Sequence, residues 1–120
     1  MPHLIETPVP FPQEGIRIDE FVGRISTGEN RVSIGRLSSR QGWSEPAQRP
    51  DFDEYTVVLA GALHIRSLDS GETTVVRAGQ AVLVSKGEKI QYSTPEADGA
   101  DYIAVCLPAF ASELAHRDPE

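Results

Sequence analysis

Apolar and polar residues alternate along most of the chain, and glycine or proline interrupts the alternation at intervals of roughly 8–12 residues. Successive side chains of a strand leave on opposite faces, so this pattern predicts short, half-buried strands rather than helices. Runs rich in Val, Ile, Thr and Tyr place strands at 17–24, 31–37, 53–59, 62–67, 73–77, 81–85, 89–93 and 101–107. Turns fall at 27–30, 69–72 and 86–88, each with a glycine that tolerates the positive φ of a tight turn. The second of these reads as the loop of a hairpin. Three prolines between Thr7 and Gln13 exclude regular structure there and predict an extended arm. Only 108–117 looks helical, and it is short. Many strands without a long helix predict an all-β jelly roll or closed barrel. The chain divides into an extended arm over 1–15, one β-barrel domain over 16–108 and a tail over 109–120 with a short helical turn.

Composition narrows the partners. At 120 residues the chain has the size of one ordinary domain. Eleven Lys and Arg against eighteen Asp and Glu leave a net charge of −7, which repels phosphate backbones, so nucleic acid is not an expected partner. A single cysteine, Cys106, forbids an internal disulfide and suits a reducing compartment. No apolar run approaches the roughly 18 residues of a membrane helix, and residues 1–6 lack the features of a signal peptide. The expectation is a cytoplasmic protein without a membrane partner. The arm is apolar at Leu4, Ile5, Val9 and Phe11, and 17–24 reads as an edge strand. Both need covering, which predicts a homodimer.

Two stretches carry a family signal. The first runs Gly42, five residues, Gln48, one residue, Pro50, three residues, Glu54, six residues, Gly61. The second runs Gly79, five residues, Ser85, one residue, Gly87, two residues, Ile90, three residues, Thr94. Together they resemble the two motifs of the cupins, and the offset between them is the family's. The segments Tyr92-Ser93-Thr94-Pro95 and Tyr102-Ile103-Ala104-Val105, with Pro108, further resemble the ethanolamine-utilisation EutQ-like branch. The resemblance implies a cupin jelly-roll β-barrel (a double-stranded β-helix), with Gln48 and Glu54 facing inward. Cupins commonly pair through the N-terminal region, often exchanging the first strand.

The departures decide the chemistry. Metal-binding cupins use three His and one Glu, and the three His positions are occupied here by Gln48, Pro50 and Ile90. Pro and Ile offer a metal nothing from the side chain, and two oxygen donors fall short of a transition-metal site. No metal and no other cofactor is expected. His3, His64 and His116 do not repair this: two are near the termini, and alternation with Leu63 and Ile65 turns His64 outward.

Glu54 shares parity with Thr56 and Val58 and has two readings. It is a carboxylate satisfied by barrel side chains, or an acid/base whose pKa rises as an apolar barrel disfavours its charge. Tyr92, on the parity of Ile90, faces inward and could donate to a substrate oxygen. Gln48, Glu54, Thr56, Ile90 and Tyr92 are therefore expected to line one cavity, with Glu54 its only deep acid. Arg36 could clamp a carboxylate, although an exposed strand arginine is the plainer reading. Trp43 could cover a ligand or pack against the arm. Cys106 reads as a small buried hydrophobe.

Three function classes follow. One is a metal-independent isomerase, epimerase or lyase on a small polar metabolite, with Glu54 as acid/base and Tyr92 and Gln48 orienting substrate. A second is a barrel that binds or senses a small ligand without chemistry. The third, implied by the EutQ resemblance, is an accessory protein of an operon or microcompartment for which phosphoryl transfer to acetate is proposed. Nothing in the sequence resembles a nucleotide site.

Overall fold

A computed structural model describes residues 1–119. It contains nine strands, β1 (Val9–Phe11), β2 (Ile16–Val22), β3 (Ser33–Ser39), β4 (Trp43–Ser44), β5 (Asp53–Ser67), β6 (Thr73–Arg77), β7 (Ala81–Val84), β8 (Ile90–Thr94) and β9 (Ala100–Leu107), and one helical turn, α1 (Ser112–Ala115). All pairings are antiparallel, in the order β1-β2-β3-β9-β5-β8-β4, with β6 and β7 also on β5. This is the all-β cupin β-barrel that the motifs imply, closed by a curled sheet.

The barrel turns on β5. The alternation at 53–59 and 62–67 predicts two strands, but one strand of 15 residues runs through both. Its first half pairs with β7 and β9, and its second half with β6 and β8. Gly61 lets one strand serve both layers. Its φ is +74°, and any Cβ there would overlap the Gly99 carbonyl oxygen. The glycine that reads as a break is a bend in continuous backbone.

Inward residues of both layers meet in a core of Val58, Leu63, Ile65, Val76, Val84, Ile90, Tyr92 and Tyr102. A smaller cluster of Phe52, Cys106 and Ala115 packs with Phe110 and Leu114 and anchors the tail. Backbone bonds from Asp51 N to the Leu114 carbonyl and from Asp118 N to the Ala47 carbonyl, both 2.8 Å, stitch the tail to the chain around Gln48.

Two further expectations change. The proline-rich arm contains β1, which pairs with β2 in the register Val9↔Glu20, Pro10↔Asp19, Phe11↔Ile18. A proline is tolerated because β1 lies at the border of the sheet, where one side of the strand has no ladder to supply. For the same reason β2 is no edge: β1 and β3 flank it. No helix among the described residues is long and apolar enough to cross a membrane.

Candidate functional site

Register places one row of inward side chains against the next. Ser33 pairs with Cys106, Gly35 with Ala104 and Leu37 with Tyr102 across β3 and β9, while Glu54 pairs with Cys106 across β5 and β9. Gly35 has no side chain and Ala104 only a methyl, so this row leaves space in the barrel. The result is a cavity of about 80 Å³. Its apolar wall is Phe11, Ile18, Leu37, Trp43 and Phe110, and its polar groups include Gln13, Glu45, Gln48, Glu54, Tyr92 and Arg117.

Glu54 is the chemical centre. It is half-buried, its remaining exposure directed into the cavity. The Tyr92 hydroxyl donates to Glu54 Oε1 at 3.2 Å. Desolvation raises the Glu54 pKa to about 7, helped by the negative charge of Glu45. The Tyr92 bond and the Arg117 charge pull the other way and do not win. A bond of that length is long for O–H···O, which explains its weak pull. The phenols of Tyr92 and Tyr102 are pushed well above their ordinary value, chiefly by burial, and stay protonated. Burial likewise pushes the Cys106 thiol far up, which keeps it from acting as a thiolate nucleophile.

A second polar group closes one side. Arg117 Nε donates to Gln48 Oε1 at 3.1 Å, and its terminal nitrogen lies 3.3 Å from Glu45 Oε2. Gln13 Nε2 donates to the same oxygen at 3.3 Å. The guanidinium sits 5.9 Å from the Phe110 ring centroid, within cation–π range. Burial raises the Glu45 pKa, with Arg117 and Gln13 opposing. Glu20 also borders the cavity, but its Oε2 accepts the backbone amides of Ile25 (3.0 Å) and Ser26 (2.7 Å) and so caps the turn after β2.

The structure brings four of the seven sequence-derived residues to the cavity: Gln48, Glu54, Tyr92 and Trp43. Thr56 and Ile90 do not line it. Thr56 lies one inward row beyond Glu54, buried in the core with its hydroxyl unpartnered, and Ile90 is buried behind Gln48, to which its backbone is bridged. Arg36 is outside the barrel. Even-numbered residues of β3 face outward, and there Arg36 Nε bonds Asp101 at 3.0 Å and holds its carboxyl below the usual range. Glu54 is also not the only acid at the cavity, since Glu45 and Glu20 border it. His64 faces outward as expected and bonds Glu96 at 2.8 Å.

Arg117 and Phe110 carry no site signal in the sequence, and Glu45 reads there as part of a solvated acidic loop, whereas the structure buries it. They lie in loops or the tail, where no alternation marks a direction, and no motif points to them.

The cupin metal set does not fit this chain. Of its four positions Gln48 and Glu54 reach the cavity, whereas Pro50 and Ile90 are buried and bring no donor atom. No group of three or more His, Cys, Asp or Glu side chains converges among the described residues.

Comparison with known proteins agrees with this architecture. The chain is 43% identical over 105 residues to a Myxococcus xanthus protein named endoribonuclease YbeY, covering 88% of this chain and 35% of that one. It is 37% identical over 54 residues to EutQ of Salmonella typhimurium, named an acetate kinase, covering 45% of this chain and 23% of that one. The chain thus spans 35% or less of the curated relatives it matches. In structure, a Salmonella typhimurium EutQ crystal structure superposes with a TM-score of 0.66 at 26% identity over 79% of this chain and 71% of that one. The Streptomyces nucleoside dehydratase Pac13 superposes at 0.74 with 14% identity, covering 98% and 90%, and shares the fold. Residues 39–113 match the family described as ethanolamine utilisation protein EutQ, a span from the end of β3 to the start of α1 that carries Gln48, Glu54 and Tyr92, and the chain belongs to that family.

Proposed function

We propose that this cupin barrel binds a small polar metabolite and moves a proton on it without a metal, as an isomerase, epimerase or lyase. The observation that carries this reading is Glu54: a carboxyl poised at about pH 7, facing a largely apolar cavity and touched by a phenol. A group with a pKa near ambient pH exists in both forms, so it can accept a proton from carbon and return it. Tyr92 stays protonated and can donate to an oxygen on which charge develops. Gln48, fixed by Arg117 and by its backbone bridge to Ile90, orients a polar substituent.

The names of the curated relatives fit less well. Phosphoryl transfer needs cations for a nucleotide's phosphates, and the only cation on this wall among the described residues, Arg117, already faces Glu45. RNA cleavage sits poorly with a chain of net charge −7. A barrel that binds without chemistry is the competing reading, in which the Glu54–Tyr92 pair only shapes the cavity.

Deuterium exchange from D2O into small hydroxy and amino compounds, followed by proton NMR, separates these. Wild-type protein is expected to exchange a carbon-bound hydrogen of its substrate. Glu54→Gln, which keeps the shape, is expected to slow that exchange by roughly 10²–10⁴-fold. Equal exchange in both proteins contradicts the proposal.

A further inference from the structure

The charges around the cavity are unequally partnered. Glu20 is turned to the backbone amides of Ile25 and Ser26. Glu45 faces Arg117. Glu54 is bonded by a neutral phenol alone, and no basic side chain makes a salt bridge with it among the described residues. A ligand that brought a second negative charge would face Glu54 and Glu45, while its one attractor, Arg117, is already held by Glu45 and Gln48. A ligand that brought a positive charge would supply the missing partner.

The rest of the wall favours the same sign. Trp43, Phe11 and Phe110 border the cavity along with Tyr92 and Tyr102, and the negative face of an aromatic ring attracts an ammonium within about 6 Å. A net charge of −7 draws cations and repels anions at long range. The space, about 80 Å³, suits a small ligand. Ile18 and Leu37 offer that ligand an apolar surface for a short alkyl portion.

We propose that the occupant is a small primary ammonium compound, its cation seated against the Glu54 carboxylate and the aromatic wall. This deepens the functional reading above and rests on it, since it names the class of ligand for the same cavity.

The test uses the full chain at about pH 8 and three probes matched in size: n-propylammonium, n-propanol and propionate. Binding is followed by isothermal titration and by chemical-shift change at the Trp43 indole. Propylammonium is expected to bind roughly tenfold or more tightly than propanol, and propionate weakest of all. Glu54→Gln should erase the preference of amine over alcohol, whereas Tyr92→Phe, which leaves the carboxylate, should keep it. Tightest binding of propionate, lost in Arg117→Met, would make the cavity an anion site and overturn this proposal while leaving a small-ligand site in place. Equal binding of amine and alcohol overturns it as well. If none of the probes binds, the ammonium assignment fails. The proton-transfer reading then stands only if Glu54-dependent deuterium exchange is seen.

Discussion

Tyr92 on β8 donates its hydroxyl to Glu54 on β5 across 3.2 Å, and this long bond joins the two layers of the barrel beside its cavity. The bond is too weak to offset what burial does to the carboxyl. Glu54 is therefore poised at about pH 7, where an acid or base is most useful, and the fold bears a cost for keeping it there.

That cost has a sign and a pH window. The Glu54 pKa is about 7 in the folded chain against 4.5 for an ordinary glutamate in the unfolded one. Between these values the folded state holds more protons, so stability falls as pH rises through the window. The loss is at most about 3 kcal/mol, reduced by whatever water in the cavity screens. Glu45, raised as well, acts in the same direction. Asp69, Glu96 and Asp101 are lowered by hydrogen bonds and act below this window. Urea unfolding at pH 5 and pH 8 is expected to give a less stable wild-type protein at the higher pH, and Glu54→Gln should narrow the difference to what Glu45 leaves. An unchanged difference in the variant contradicts the assignment.

Arg117 holds a buried carboxylate. Replacing it with Met leaves Glu45 without its cation and Gln48 Oε1 without its donor. Arg117 is itself partly exposed, so the expected loss is about 1–3 kcal/mol rather than the full penalty for breaking a buried pair. The double variant Glu45→Gln with Arg117→Met should lose less than the two single losses added, because the stranded charge is gone. Additive losses in urea midpoints would show that the pair is not coupled.

The sequence makes the barrel legible because its strands are half-buried, and alternation reports direction. Parity puts Glu54 on one face with Thr56 and Val58 and Tyr92 on the face of Ile90, and the cupin motifs make those faces, and that of Gln48, the interior. Thr56 shares that parity yet misses the cavity, since parity gives a face and not a depth. Arg36 needed one more step of the same reasoning: Gly35 and Leu37 line the cavity, so its side chain must leave on the other face. Arg117, Glu45 and Phe110 had no such signal. Their directions are set by tertiary contacts of the tail, such as the edge-to-face packing of Phe110 on Phe11 (5.5 Å) and Phe52 (5.8 Å).

Homodimerisation remains a proposal, with its surface revised. With β2 flanked on both sides, the uncovered apolar surface is the outer face of β5 and β7, where Tyr55, Val57, Leu59 and Leu83 are each about half exposed. Clustered exposure of that kind marks an interaction surface. Sedimentation at micromolar concentration is expected to give twice the chain mass, and Val57→Lys should shift it toward the single chain. A single-chain mass for the wild type contradicts this.

Whether Glu54 can act as an acid/base is read most directly from its own titration. The ¹³C chemical shift of its side-chain carboxyl, assigned by its absence in Glu54→Gln, is to be followed from acid to mildly alkaline pH in the intact protein. A midpoint near 7 is expected, well separated from the exposed glutamates. A midpoint near 4.5 would mean that the cavity does not disfavour the charge, and would remove the basis for Glu54 as an acid/base.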